Sequence, residues 1–305
     1  MSDIECPGAG NFLGLCESYS SPGKSRFSII PVPYEATSTY VRGSSRGPAA
    51  IIEASANIEI YDHELDIEPA RQGVYTAPEV EPVPGDPAAT MEAIEGAVSE
   101  ALASGSLPVV LGGEHTVSVG AVRAIAARAG IKGAPVPGED FFVVSFDAHA
   151  DLRDSYDGTP LSHACFLRRA LEVARGMAIG VRSLSREERD FAAAGGVRVT
   201  YADEIHSAGA GAVDLGDIPA NVYISLDLDV LDPSIMPSTG TPEPGGLGWY
   251  DLIDLLKRVI SGRRVLGFDV VELCPQQGNV APDFTAAKLI YKTIGIIIEY
   301  SANGG

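Results

Sequence analysis

Three short segments of this 305-residue chain gather the side chains that bind divalent metals: Gly112-Gly113-Glu114-His115, Asp147-Ala148-His149-Ala150-Asp151 and Asp227-Leu228-Asp229. Within the second and third, the acids and histidines recur every two residues. In an extended segment that spacing puts alternate side chains on one side, so two strand ends could aim several oxygens and an imidazole at one point. Four crowded carboxylates repel one another and raise one another's pKa unless cations neutralise them. Two divalent ions would balance the four aspartates. A donor set of four Asp with His115 and His149 suits Mn²⁺ better than Ca²⁺ or a thiolate-bound zinc. A single Asp at a strand end usually caps a helix or forms a turn. Capping does not explain all three motifs together. The glycine pair lacks both phosphate-loop spacings, which leaves it the task of turning the backbone sharply beneath a metal ligand.

Positioning these residues falls to the apolar runs before them. Residues 107–111, 141–146 and 222–226 read as strands buried on both faces, as do 27–32, 177–181, 197–201 and 265–268. Helical patterns fill 87–104, 117–129, 162–175, 186–194, 249–260 and 285–300. Asp86-Pro87 gives a helix start and Arg175-Gly176 a helix stop. Repeated βα alternation without a long linker predicts one α/β domain over residues 1–305, built on a mostly parallel sheet. In such sheets ligands bind beyond the carboxyl ends of the strands, where the three motifs fall.

Composition sets outer bounds. With 41 Asp and Glu against 22 Lys and Arg, the net charge is −19, which excludes a nucleic-acid partner because phosphates need a positive face. Any tie between that global charge and a cationic substrate is weak, since most of the acids lie outside the motifs. The longest apolar run, 294–298, is too short to span a bilayer, and the start lacks the features of a signal peptide. Four cysteines without a CxxC pair predict neither a disulfide framework nor a zinc ribbon. The expectation is a cytoplasmic protein with reduced thiols.

The motifs, taken in order with Pro33-Tyr34-Glu35, the stretch 43–51, the stretch 238–246 and Gly267-Phe268-Asp269-Val270-Val271-Glu272, resemble the ureohydrolase family of arginases and agmatinases along nearly the whole chain. The resemblance implies a three-layer αβα fold and two Mn²⁺ ions. One metal would take His115, Asp147, Asp151 and Asp227; the other would take Asp147, His149, Asp227 and Asp229. It further implies a metal-bridging hydroxide that attacks a guanidinium carbon, Glu272 pairing with that guanidinium, and His163 carrying protons to the leaving amine. Asp151 would also hydrogen-bond the hydroxide and pass its proton onward. A homo-oligomer, trimer or hexamer, is implied as well.

Arginases carry an Asn two residues after the DxHxD motif, and here that position is Arg153. The loop instead resembles that of microbial agmatinases, which implies hydrolysis of agmatine to putrescine and urea. Asp154 and Asp157 would then meet the distal ammonium, with ordinary solvated turn residues as the alternative. An Arg153 facing the pocket would instead favour a carboxylated substrate, which keeps guanidinobutyrase, arginase and formiminoglutamase activities open. A non-catalytic metal-bound homologue is the rival from another class. Glu114 departs from the commoner Gly-Gly-Asp-His, a change expected to alter the surroundings of the metal ligands.

Overall fold

A computed structural model describes residues 4–6, 8–128 and 141–302. Eight strands form one sheet in the order β2-β1-β3-β8-β7-β4-β5-β6. They are β1 (Phe27–Val32), β2 (Val74–Thr76), β3 (Leu107–Gly112), β4 (Phe142–Phe146), β5 (Arg175–Val181), β6 (Arg198–Tyr201), β7 (Asn221–Asp227) and β8 (Arg264–Val271). Every pairing is parallel. The helices are α1 (Gly47–Ser55), α2 (Pro87–Ala103), α3 (Val117–Arg128), α4 (Phe166–Ala170), α5 (Arg186–Gly195), α6 (Ala202–Ala208), α7 (Trp249–Ile260) and α8 (Ala281–Tyr300).

The pleat divides the core into two layers. Val222, Ile224 and Leu226 of β7 face a cluster containing Ile51 of α1, Leu252 and Leu256 of α7, and Ile290 and Ile294 of α8. Tyr223, between them, faces Met91 and Ile94 of α2 and Phe166 of α4. This is the expected three-layer αβα arrangement. The strand order sets β3, β8, β7 and β4 side by side. Their ends are level, with Leu111 opposite Val270, Val270 opposite Leu226 and Leu226 opposite Phe146. The three candidate metal-binding motifs leave from β3, β4 and β7, and Glu272 follows β8.

Helix α2 begins as expected: the Asp86 carboxylate accepts from the Ala89 amide at 3.0 Å, and Pro87 occupies the first turn. The helix expected over 162–175 is shorter. A 3₁₀ turn at His163–Cys165 leads into five-residue α4, and Arg175 already belongs to β5. Gly176 is no helix stop; a Cβ there would lie 2.9 Å from the Val143 carbonyl, so glycine permits close strand pairing. The last residue of the helix expected over 117–129 lies outside the described residues. Strand β2, with three residues, is too short to show a periodic pattern.

The expectation of reduced thiols fails at Cys6 and Cys16, which form a disulfide. The Cys6 amide donates to Gly14 O and the Cys16 amide to Ile4 O, both at 2.8 Å, so the N-terminal segment doubles back and brings the two residues together. Counting cysteines does not reveal such a fold-back. Cys165 and Cys274 are free and buried. Among the described residues no helix is long and apolar enough to cross a membrane.

Candidate metal centre

The ligands converge, but not by strand alternation. β4 ends at Phe146, and Asp147, His149 and Asp151 lie in the loop beyond it; Asp229 sits on a 3₁₀ turn, Leu228–Val230. Local hydrogen bonds do the aiming. Asp147 Oδ1 accepts from the His149 amide at 2.6 Å, Asp227 Oδ1 from the Asp229 amide at 2.9 Å, and Asp229 Oδ1 from the Ala148 amide at 3.0 Å. Asp151 adopts φ +50 and Glu272 φ +66, a left-handed conformation costly for L side chains and found where function over-determines the backbone.

Two donor groups share one carboxylate: His115, Asp147 and Asp227 form the first, and Asp147, His149 and Asp229 the second. His115 Nδ1 lies 3.2 Å from Asp147 Oδ2, 3.1 Å from Asp151 Oδ2 and 3.4 Å from Asp227 Oδ2. His149 Nδ1 lies 3.0 Å from Asp229 Oδ2 and 3.5 Å from Asp147 Oδ1. Thus all six predicted ligands meet. Buried His115 Nδ1 and Asp147 Oδ2 find no well-directed hydrogen bond, which fits a pair awaiting a cation.

The electrostatics match. Burial first, and the Asp147 charge second, push the Asp151 carboxyl up to about 7. Burial, with Asp229 and Asp147 beside it, also raises Asp227 well above the usual range. For Asp147, burial is outweighed by the His115 and His149 rings beside it, and its pKa falls.

His115 is steered from behind. Its Nε2 lies 2.9 Å from Ser225 Oγ, which donates to Asp269 Oδ1 at 2.6 Å, while Tyr223 donates to Asp269 Oδ2 at 2.6 Å. Because the serine proton goes to Asp269, Ser225 accepts from Nε2–H, and Nδ1 keeps its lone pair for a metal. The sequence reading gave Asp269 no role. The signal was a carboxylate inside an apolar strand, which must be partnered there. Arg182, also missed, donates to Asp229 O at 2.6 Å and Glu243 O at 2.7 Å, binding the loop that carries Asp229 to its neighbour.

Beside the donors lies a narrow cleft that His163, Glu272, Ser38, Thr39, Gly240 and Thr241 also line. Glu272 Oε1 accepts from the His115 amide at 2.7 Å, while a Cβ on Gly240 would sit 3.4 Å from Oε2. Burial, then repulsion from Glu114, raises the Glu272 carboxyl to about 8. Burial lowers the pKa of His163, favouring a neutral ring. A cavity of about 270 Å³ continues outward past Arg153, Tyr156, Ser183, Leu184 and Glu188.

Arg153 lines that cavity with its charge compensated: its Nη2 lies 3.7 Å from Glu188 and its guanidinium 5.1 Å from the Tyr156 ring centre. The expected distal contacts are not brought to the cavity. Asp154 is drawn away by Arg169, at 2.6 Å, and Asp157 occupies a turn at φ +47; neither lines the cleft or the cavity. Glu114 is fully buried, and its Oε2 accepts from the Ala36 and Thr37 amides at 2.7 and 2.6 Å. The chain bends at Gly113 and Glu114 directly after β3, as expected, and a Cβ on Gly113 would lie 2.1 Å from Tyr34 O, so glycine there also permits close packing.

The arginase family model matches residues 25–295. The chain is 36% identical over 292 residues to an N(1)-aminopropylagmatine ureohydrolase of Synechocystis, covering 92% of this chain and 91% of that protein. It is 35% identical over 275 residues to an agmatinase of Pyrococcus horikoshii, covering 88% and 90%. Among solved structures, the agmatine ureohydrolase of Thermoplasma volcanium superposes with a TM-score of 0.83 at 32% identity, covering 95% of each chain.

Proposed function

Because the chain belongs to the arginase family, whose members hydrolyse guanidino compounds, we propose that it releases urea from an amine-terminated guanidine of the agmatine type. The observation that carries this reading is the meeting of two His–Asp donor groups, joined through Asp147, with Glu272 and His163 on one cleft. When bound, two divalent cations, Mn²⁺ in this reading, lower the pKa of a water and supply the nucleophile for the guanidinium carbon. His115, Asp147, Asp151 and Asp227 would hold one, and Asp147, His149, Asp227 and Asp229 the other. Glu272, fixed through Oε1, turns Oε2 to the guanidinium and orients a cation whose delocalised charge makes it a poor electrophile. His163 delivers a proton to the departing amine nitrogen as its bond to the guanidinium carbon breaks.

Within this class the outer cavity favours N(1)-aminopropylagmatine over agmatine. Its 270 Å³ accommodates an extended chain beyond the guanidinium, and the Synechocystis relative bears that name. Glu188, 3.7 Å from Arg153, partly offsets the cation that would recruit a carboxylate. Urea release from aminopropylagmatine, agmatine, arginine and 4-guanidinobutyrate, with and without Mn²⁺, tests the reading, with formamide release measured from formiminoglutamate. The expected result is Mn²⁺-dependent turnover, with kcat/KM highest for aminopropylagmatine. Preference for a carboxylated substrate overturns it.

A further inference from the structure

His163 has a second connection, away from the cleft. Thr37 Oγ1 stands 3.0 Å from His163 Nδ1 and accepts from the His163 amide at 3.1 Å. The same hydroxyl donates to Glu114 Oε1 at 2.8 Å. Glu114 Oε1 also accepts from Thr116 Oγ1 at 2.7 Å, while its Oε2 takes the amides of Ala36 and Thr37. A hydroxyl has one proton to give, and at Thr37 it goes to Glu114. Thr37 can therefore only accept from His163 Nδ1, which must carry the ring proton. Ser162 Oγ, 3.5 Å from Nδ1, is too distant to compete.

We infer that Thr37 and Glu114 are positioning residues that set the tautomer and ring orientation of His163. A proton on Nδ1 leaves Nε2 as the nitrogen that accepts and returns protons, on a ring that lines the cleft beside Asp151 and Glu272. The logic repeats that of Ser225 and Asp269 behind His115: a hydroxyl committed to a carboxylate fixes which imidazole nitrogen works. Here it acts on the proton carrier instead of a metal ligand. The inference rests on the role of His163 in the proposed reaction.

The test is a double-mutant cycle in the metal-loaded protein. Thr37→Val keeps the β-branched shape and removes the hydroxyl; Thr37→Ser restores it. Thr37→Val should lower kcat about 10²-fold, on the scale of general acid–base catalysis, with KM and bound metal unchanged. Thr37→Ser should recover most of the loss. His163→Ala combined with Thr37→Val should be no slower than His163→Ala alone, since Thr37 acts only through that ring. Independent, multiplying effects, failure of Ser to rescue, or loss of metal in Thr37→Val each overturn the inference. An inactive wild type, or a fully active His163→Ala, overturns the reaction assignment and this inference with it.

Discussion

Stripping the cations should load the site with protons, and restoring metal should release them in a countable number. In the metal-free cluster, the carboxylates of Asp147, Asp151 and Asp227 beside the ring outweigh burial and raise the His115 pKa well above its ordinary value. Asp229 and Asp147 do the same for His149 against its burial. At pH 7 both rings hold an extra proton, and Asp151, at about 7, is half protonated. All three, and Asp227, whose carboxyl is raised as well, must be bare to serve as ligands, so loading displaces at least two protons. Calorimetry of Mn²⁺ binding at pH 7, in two buffers of different ionisation enthalpy, counts them. Stability supplies a second reading. The folded-state pKa of Asp151 is raised, so the metal-free fold binds an extra proton between about 3.8 and 7 and loses stability as pH rises through that window. From pH 5.5 to 7 the loss is about 2 kcal/mol. For a chain of this size that corresponds to about 3 °C in Tm. The raised histidines act in the same direction: their contribution is complete below their unfolded value and is lost as pH rises through the folded one. The Tm gap between loaded and stripped protein, in which groups elsewhere cancel, should therefore widen by at least that amount. Release of fewer than one proton, or a gap that narrows with pH, refutes the electrostatic account of the cluster.

Asp269→Asn should weaken metal binding 10- to 100-fold, because an amide presents one acceptor oxygen and sets its NH₂ against one of the two hydroxyls Asp269 now accepts from. Titration with Mn²⁺ checks this, and a change under twofold would disprove the role of the Ser225–Asp269 pair. Reducing the Cys6–Cys16 disulfide frees a short loop of sequence separation 10, worth about 3 kcal/mol in the chain-entropy account. Thermal melts with and without a phosphine reductant should differ by about 4 °C, with urea release unchanged.

Much of the fold was legible because buried parallel strands write themselves as unbroken apolar runs. β1, β3, β7 and the helix α7 fall within a residue of the periodic segments. The six candidate metal-ligating side chains were visible as types and spacing. Their geometry was not, since loop amides and the left-handed Asp151 aim them. Asp154 looked like a substrate contact until Arg169, fifteen positions away, was seen to hold it. Thr37 gave no signal, because its partners Glu114 and His163 are 77 and 126 positions distant. Long-range hydrogen bonds by single hydroxyls leave no period in a sequence.

One turn after β3 joins the separate parts of the site. The His115 ring turns to the metal-binding carboxylates while its backbone amide fixes Glu272. Its neighbour Glu114 points the other way and holds Thr37, and through Thr37 His163, the proposed proton carrier. Those contacts require the turn to press against the segment after β1, and the absence of a Cβ at Gly113 permits that approach to Tyr34. Shifting the Gly113–His115 turn would therefore move the proposed metal ligand, guanidinium partner and proton carrier together. A buried carboxylate without accepted hydrogen bonds is costly; Glu114 accepts four from three residues, so its orientation is as fixed as its backbone. The acid beside His115, a departure from the commoner motif, thus connects the candidate metal centre to the groups proposed to bind the guanidinium and move the proton.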